Sequence, residues 1–419
     1  MNKATEKIIN HTKTRLGLHD YYLHNYSFNR KLNFEKKTFY TITMEWYPTQ
    51  ITKIEEDLNP KGTAVVEVDL TTNKFLSIIF VKGKTYAKQS IELLSEEAII
   101  EWVELETGLV YHKQFVLHRY KGGEYQFAEC VDGIPISPTG LIEIKVNQKG
   151  QLLFFSANAH FPAYELIREE PFSLTLDKIE PITMEQTKLI EFPLYEQQKL
   201  VPLYAIEEIY VRNNGTQTIP LEIDNYSAKV EMNKLMEWDK PLDEPFERKE
   251  VNITEEITEE MAYKGEQARE SFPISERDIE YCMQAVLDFL RKKFPHDSGV
   301  WKLKSLQRDK NYLLATLLAM KEKEIVFKRK MKVFIHSETY TVENYLDSSE
   351  WISSINKFAR TGEVVVSKQE AYEKLKASVQ LKPHYVYDKA ENQFVLCGKL
   401  DSDYGVNATD GKVLLLEEL

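Results

Sequence analysis

The side chains that usually bind metal ions fall into no metal-binding pattern in this sequence. The nine histidines form no His-Glu-x-x-His motif, and no Cys-x-x-Cys pair is present. His112 and His118 would share a face of one continuous strand, and we interpret them as exposed strand histidines. The acidic stretch 401–405 resembles the start of a calcium loop but lacks its glycine and its bidentate glutamate. We therefore expect no metal site.

Nucleophiles and phosphate-binding loops also lack a supporting pattern. Residues 354–357 fit Ser-x-x-Lys, which is frequent by chance, and its companion motifs are missing. Cys130, Cys282 and Cys397 are better interpreted as small buried apolar residues than as thiolates. The stretch 405–413 differs from a phosphate loop in its spacing and in its last residue. We predict no catalytic residues and no cofactor, and we prefer a role other than an enzyme.

Aromatic side chains are the remaining candidates for binding. They make up 11% of the chain, with 23 tyrosines and 20 phenylalanines. On an open sheet face such rings would suit an extended peptide, which binds by edge pairing and side-chain pockets. The alternative, which the pattern favours, is that the rings pack under a helix and stabilise a thin core. If a binding face exists, its candidate residues are Tyr22, Tyr26, Phe28, Tyr40 and Trp46.

Composition limits the classes of partner. The chain has 419 residues, 42% hydrophobic and 29% charged, and a formal net charge of −12. This charge argues against nucleic acid and against an anionic membrane surface. The first ten residues carry charges before any apolar run, and the apolar stretch 313–320 is far shorter than the roughly 20 residues of a spanning helix. With three scattered cysteines, these features predict a soluble cytoplasmic protein without membrane insertion.

The elements that would position any site follow from a repeated phrase. An apolar residue precedes Asp or Asn, and a few residues later a turn residue, usually Lys and another apolar residue follow. The Asx side chain and the turn residue predict a tight hairpin between two strands. The copies lie at 68–75, 223–230 and 406–413, with a shorter copy at 146–152 and a degenerate one at 335–342.

Helices are predicted ahead of several hairpins. A helix is expected from Ser95 to Gly108, and a weaker one near the N-terminus ends at Gly17. Three further helix starts have the spacing of a capping box, at Thr183–Gln186, Ser275–Asp278 and Ser367–Glu370.

A helix followed by antiparallel strands predicts an α+β fold of tandem modules, each with one helix packed on a small antiparallel sheet. The segment 237–270 is acidic and contains two prolines, so we interpret it as a linker or surface excursion, partly helical around 255–269. An acidic lid over a binding face is the alternative. The predicted modules are 1–90, 91–170, 171–236 (short), 271–362 (diverged) and 363–419.

Three stretches carry a resemblance to a known family. Residues 125–136, the hairpin 142–155 and the C-terminal part 367–412 resemble the YcdB/YcdC repeated-domain proteins of Bacillus-type bacteria, which are similar to tandem PepSY modules. The chain departs from the family at Asn407, where Asp is usual, at an inserted Asp410, and at His336 in the fourth unit. The resemblance implies PepSY-like modules that bind or inhibit in peptidase systems, and it implies no catalytic residues.

Three functional hypotheses follow. The preferred one is a non-catalytic protein whose tandem modules bind a protein or peptide and modulate a peptidase. The second is a hydrolase whose active site is assembled between modules, which no local motif would reveal. The third is a scaffold that self-associates through exposed strand edges.

Overall fold

A computed structural model describes residues 2–33, 35–51, 58–88, 93–158, 164–220, 227–320 and 328–419. Of these residues 40% are in strands and 24% in helices. The helices are α1 (Lys3–Arg15), α2 (Glu96–Thr107), α3 (Glu180–Gln186), α4 (Glu259–Lys264), α5 (Glu276–Lys293), α6 (Ser349–Asn356) and α7 (Lys368–Leu375).

The strands are β1 (Tyr21–Leu32), β2 (Thr38–Pro48), β3 (Ala64–Asp69), β4 (Phe75–Phe80), β5 (Phe115–Lys121), β6 (Glu124–Val131), β7 (Ile134–Ser137), β8 (Leu141–Val146), β9 (Leu152–Asn158), β10 (Thr187–Leu194), β11 (Lys199–Ile206), β12 (Ile209–Arg212), β13 (Thr218–Pro220), β14 (Lys229–Leu235), β15 (Trp301–Asp309), β16 (Tyr312–Ala319), β17 (Lys330–His336), β18 (Val342–Asp347), β19 (Ala359–Arg360), β20 (Gln380–Asp388), β21 (Gln393–Asp401), β22 (Tyr404–Asn407) and β23 (Val413–Leu415). The chain divides into unit 1 (Met1–Glu170, Glu255–Ala268, Pro383–Leu396) and unit 2 (Pro171–Thr254, Arg269–Lys382, Cys397–Leu419).

Unit 1 contains one continuous sheet with the strand order β1-β2-β3-β4-β9-β8-β6-β7-β20. β5 pairs with β6 over Glu124–Glu129, on the edge of β6 away from β8. The hairpins of the first two predicted modules join where β4 pairs with β9, at Ile78 and Phe155. This pairing satisfies backbone groups that two separate small sheets would leave exposed at their edges.

Helices α1 and α2 pack on the same face of this sheet. Their buried residues, among them Ile8, Ile9, Ile99 and Val103, belong to one core with the strand residues. Arg15 at the end of α1 forms an ion pair with Glu106 near the end of α2. Strands β2, β3, β4, β9 and β8 send alternate side chains into this core, among them Met44, Val66, Ile78, Phe155 and Ile144.

Among its described residues, unit 2 has two large separate cores and a small cluster of Leu200 and Ile355. In one, α5 packs Val286, Phe289 and Leu290 on the five-stranded sheet β14-β15-β16-β17-β18. In the other, residues of the α3 and α7 regions pack with strands β11, β12, β21 and β22, and the second five-stranded sheet has the order β10-β11-β22-β23 with β19 on β11. There β11 pairs with β22 through Tyr204 and Val406, which lie about 200 residues apart in the chain.

The repeated phrase forms hairpin turns, as predicted, in all four copies that the structure describes. In the first copy, the Asp69 carboxylate accepts hydrogen bonds from the amides of Thr71 (2.7 Å) and Thr72 (2.8 Å). The side-chain oxygens of Asn147 and Asn407 accept the same kind of bond from a backbone amide two residues later. In the degenerate copy the Nδ1 atom of His336 accepts it. The copy at 223–230 lies largely outside the described residues.

Most predicted helix starts are confirmed. Ser275 and Ser367 form complete capping boxes, and α2 runs from its cap at Ser95 to Gly108, which has the positive φ of 76° that glycine tolerates. The start predicted at Thr183 is wrong. The helix begins at Glu180 with a proline in its first turn, and the Thr183 hydroxyl donates to the carbonyl of Ile179.

The predicted fold class is contradicted. The molecule is mostly β, and its strands form large multi-stranded sheets rather than one small sheet per helix in tandem modules. The local pattern identified the hairpins, but free hairpin edges pair with other edges, including distant ones, and these pairings decide the architecture. Whether the predicted module boundaries are functional divisions stays a prediction.

The acidic segment 237–270 is divided between the units: residues 255–268 belong to unit 1 and the rest to unit 2. In unit 2 the Trp238 indole donates to the carbonyl of Pro295 (3.2 Å), and Phe246 packs edge-on against Phe289. In unit 1 Ile257 forms an antiparallel bridge with Phe28, and α4 follows within the stretch that was predicted to be partly helical.

Candidate functional site

The five predicted binding aromatics lie on β1 and β2 but do not share a face. Phe28, Tyr40 and Trp46 are buried in the core under the helices, and Tyr26 packs against it. Tyr22 is 41% exposed and lies on the opposite face, with its ring edge-on to Tyr47. Rings buried under helices are closed to a ligand, so of the five Tyr22 alone lies on the surface away from the core.

A β-bulge in β1 explains why the five aromatic residues do not all lie on one face of the sheet. Tyr22 and Tyr26 are four residues apart and would share a face in a regular strand. The register of β1 against β2 shifts between Leu23 and Asn25, so His24 is an extra residue. An extra residue reverses the alternation, which places Tyr22 outward and Tyr26 inward.

The face of the unit 1 sheet opposite α1 and α2 carries two continuous rows of side chains, and we call it the open face. Directly opposed residues on neighbouring strands define both rows. The polar row is Ser27, Thr43, Glu67, Ser77, Ser156, Glu143, Gln126 and Arg119. The mixed row is Asn25, Glu45, Val65, Ile79, Phe154, Lys145, Glu124 and Lys121.

Each row crosses the same eight strands, β1, β2, β3, β4, β9, β8, β6 and β5. At the usual spacing of neighbouring strands, this corresponds to about 33 Å. Val65, Ile79 and Phe154 form an apolar centre in the mixed row, and Ile79 is 38% exposed. An apolar centre flanked by charged residues is the usual composition of a protein-binding surface.

The charges on the open face are partly paired. Lys31 Nζ lies 2.5 Å from Glu67 Oε1, and the hydrogen bond and charge of Lys145 lower the pKa of Glu124. Gln126 Nε2 donates to Glu143 Oε1 at 3.2 Å. Among the described residues of the two rows, Glu45, Glu143, Arg119 and Lys121 have no ion-pair partner. Glu45 on β2 is therefore an uncompensated negative charge next to Val65 of the apolar centre.

The outer edge of β1 is covered by the segment 255–268. Besides the bridge from Ile257 to Phe28, Arg30 forms a 2.5 Å ion pair with Glu255 and donates to the carbonyl of Gln267. The Thr5 hydroxyl donates to Glu259 Oε1 (2.5 Å), which anchors α4 to α1. A peptide would therefore reach the open face more readily than this strand edge.

Cys130, Cys282 and Asp278 are held in structural roles. Burial raises the pKa of Cys282 to about 12 and also raises the pKa of Cys130, so both thiols are protonated at neutral pH. Asp278 receives hydrogen bonds from Ser275, Tyr340 and Arg308 at the start of α5. Within the described ranges no group of three or more His, Cys, Asp or Glu side chains is placed to hold a metal ion.

Sequence reasoning missed the residues of the open face. A usable signal was present, because Ile78-Ile79 and Phe154-Phe155 each place two apolar residues in succession in a strand. In a strand with one face in the core, the second apolar residue must lie on the other face.

Comparison with known proteins leaves the family open. No family model and no curated protein matches the chain. Among solved structures, a match to the Bacillus megaterium YpeB C-terminal domain has 8% sequence identity and a TM-score of 0.26, covering 83% of this chain and 97% of that one. A likeness of this degree supports no conclusion on fold or function. No helix among the described residues is long and apolar enough to cross a membrane.

Proposed function

We propose that the chain binds a protein or peptide on the open face of unit 1. The observation that supports this is the position of α1 and α2 on one side of a single eight-strand surface, which leaves two unbroken rows on the other side. The three apolar side chains at its centre would contact apolar residues of the partner. Glu45 would contact a basic residue beside them.

Modulation of a peptidase is the finer form of this proposal. It is supported by the resemblance of residues 125–136 and of the C-terminal stretch to modules found in peptidase systems. The hydrolase hypothesis stays a prediction. For the scaffold hypothesis, self-association through the β1 edge would first require the segment 255–268 to leave that edge.

A site-specific photo-crosslinker at Ile79 tests the proposal in a lysate of the native host. The control carries the same crosslinker at Leu105, an apolar residue of α2 that is 68% exposed on the helix side. We expect a discrete protein adduct from position 79 and none from position 105. Mass spectrometry of the adduct then shows whether the partner is a peptidase.

The captured partner is next purified and its affinity measured with Ile79→Lys and Leu105→Lys. Placing a charge in the apolar centre should weaken binding at least tenfold, which corresponds to about 1.4 kcal/mol. The Leu105 variant should bind as the wild type does. Equal crosslinking at both positions, or equal affinity of both variants, would contradict the proposal.

A further inference from the structure

The five-stranded sheet under α5 has a second face, whose chemistry differs from that of the open face. It is exposed around Leu235 and Leu346, whereas Ser305 and Thr316 on the same side are buried. The α5 side receives Leu303, Leu317 and Val333, so the neighbouring residues of each strand lie on the other side. Two rows cross that side. The first is Leu235, Lys302, Leu318 and Lys330, and the second is Ser305, Thr316, Lys332 and Leu346.

Lysine and leucine alternate along the first row and adjoin in the second. Lys304 is the extra residue of a β-bulge in β15, beside the second row. Leu235 is 43% exposed and Leu346 is 62% exposed, so apolar surface lies in water between the ammonium groups. We call this surface the lysine–leucine face (Leu235, Lys302, Lys304, Leu318, Lys330, Lys332 and Leu346).

The ammonium groups are close enough to affect one another. Loss of hydration lowers the pKa of Lys330, and the like charges of Lys332, Lys304 and Lys229 lower it further. Of these, Lys229 is paired with Glu231 at 2.7 Å. Two carboxylates of β18 are also engaged, since Glu343 lies 3.9 Å from Lys249, and Asp347 is held by Arg329.

A positive surface on a chain of net charge −12 limits the class of partner. A nucleic acid would find no exposed aromatic residue among these seven to stack on, and its phosphates would leave the leucines without an apolar partner. An anionic membrane presents a whole layer of like charges, which the net charge of the chain repels more strongly than it repels the few carboxylates of a short segment. A polypeptide can place individual carboxylates on the lysines and apolar side chains on the leucines between them.

We propose that the lysine–leucine face binds an acidic polypeptide segment that carries apolar side chains between its carboxylates. The rows supply the pattern, because a lysine lies next to a leucine on the neighbouring strand at each of four positions, Leu235–Lys302, Lys302–Leu318, Leu318–Lys330 and Lys332–Leu346. The inference is independent of the open face and stands whether or not that face binds a partner.

Selection from a phage library of short random peptides tests it on the full-length chain. Lys330→Gln/Lys332→Gln serves as the counter-selection protein. Its matched control, Lys3→Gln/Lys7→Gln, removes the same charge from exposed positions of α1. We expect enriched peptides to combine Asp or Glu with apolar residues. Enrichment of basic or uncharged peptides, or no enrichment above the counter-selection protein, overturns the inference.

The enriched peptide is then measured by fluorescence anisotropy against the three proteins. Loss of both lysines should weaken binding roughly tenfold, and the α1 control should bind as the wild type does. Affinity should fall as salt is raised, because the ammonium groups lie at a solvated surface. Single-stranded DNA and phosphatidylserine vesicles are the competing probes. Displacement of the peptide by either one at lower concentration than by an unlabelled copy of the peptide also overturns the inference.

Discussion

The open face of unit 1 and the lysine–leucine face of unit 2 are built in the same way and differ in charge. Each is the side of an antiparallel sheet that faces away from the helices packed on its core. Each combines exposed residues with a few buried ones, Ser156 on the first and Ser305 and Thr316 on the second. The first is acidic around Glu45 and has its apolar residues together at the centre, whereas the second is basic and intersperses its leucines. In both sheets the core-facing residues pack under helices, and the alternate residues form the two surfaces for which we propose partners.

The strongest test of this two-sided interpretation is a pair of adjacent residues in β9. Phe155 is fully buried and packs edge-on against Trp102 of α2, with the ring centroids 4.9 Å apart, whereas Phe154 lies on the open face. Phe155→Ala should lower the free energy of unfolding by about 3–5 kcal/mol, through lost transfer energy and a cavity. Phe154→Ala should lower it by about 1 kcal/mol or less.

The free energy of unfolding of unit 1 is measured for each variant by hydrogen exchange in urea, followed in peptides from β9 and α2. The two variants control for each other, because each replaces a phenylalanine of the same strand by alanine and the positions are adjacent. Similar losses from the two variants would show that the open face is also covered by core packing, and the comparison would fail.

The same test in unit 2 uses Leu317 and Leu318 of β16. Leu317 is fully buried against α5, and its neighbour lies between Lys302 and Lys330. Leu317→Ala should destabilise by about 3 kcal/mol and Leu318→Ala by about 1 kcal/mol. Chemical unfolding followed by the exchange of β16 peptides measures the pair. A larger loss from Leu318→Ala would reverse the face assignment of this sheet.

The start of α5 should make unit 2 more sensitive to acid than the Ser95 cap makes unit 1. Burial alone would raise the pKa of Asp278, but hydrogen bonds from Ser275 and Tyr340 and the charge of Arg308 outweigh it, so the pKa is lowered. A lowered folded-state pKa means that the carboxylate stabilises the fold above its unfolded pKa of about 3.9 and that this contribution disappears as the pH falls through the folded value.

Asp278→Asn should therefore destabilise unit 2 by about 2 kcal/mol at pH 7, because a cap and a half-enclosed ion pair are lost together. Between about pH 5 and pH 3 the wild type should lose stability more steeply than the variant. Urea unfolding across this range measures both. Parallel pH profiles for the two proteins would show that Asp278 does not titrate differently on folding.

The sequence identified what depends on neighbouring residues. The bonds of Asp69 to the amides of Thr71 and Thr72, and the capping box at Ser275, involve residues two or three positions apart, so their types are sufficient. The pairing of β11 with β22 joins residues about 200 positions apart through backbone groups that every residue has, and no residue type announces it.

The candidate site likewise combines features that neighbouring residues predict with features that depend on strand register. The alternation along β1 could be predicted, but the extra residue at His24 reversed it, and nothing in the types of Leu23, His24 or Asn25 marks a bulge. Four of the five chosen aromatics thus belong to the core side. The lysines of β15 and β17 were equally visible in the sequence, but their meeting on one face depends on the register of β16 between them.

The smallest expected effect is the change in stability caused by Lys330→Gln. Its sign distinguishes a lysine–leucine face that binds a ligand from an ordinary solvated surface. Because the pKa of Lys330 is lowered on folding, the unfolded chain binds its proton more tightly, and stability rises as the pH rises through the folded value. At pH 7 the charged group is therefore slightly unfavourable. Lys330→Gln should raise the stability of unit 2 by roughly a few tenths of a kcal/mol, since solvent screens most of the repulsion.

The same substitution should weaken binding of an acidic peptide, so stability and affinity change in opposite directions. Such opposition is expected where like charges are held together for a ligand rather than for the fold. Lys3→Gln on α1 should change neither quantity. High salt should abolish the effect of Lys330→Gln on binding and reduce its effect on stability, because salt screens the repulsion from the other lysines but not the loss of hydration. If Lys330→Gln lowers stability instead, the ammonium group stabilises the sheet. The basic charge of this face would then be explained by the fold and would give no reason to expect an acidic ligand.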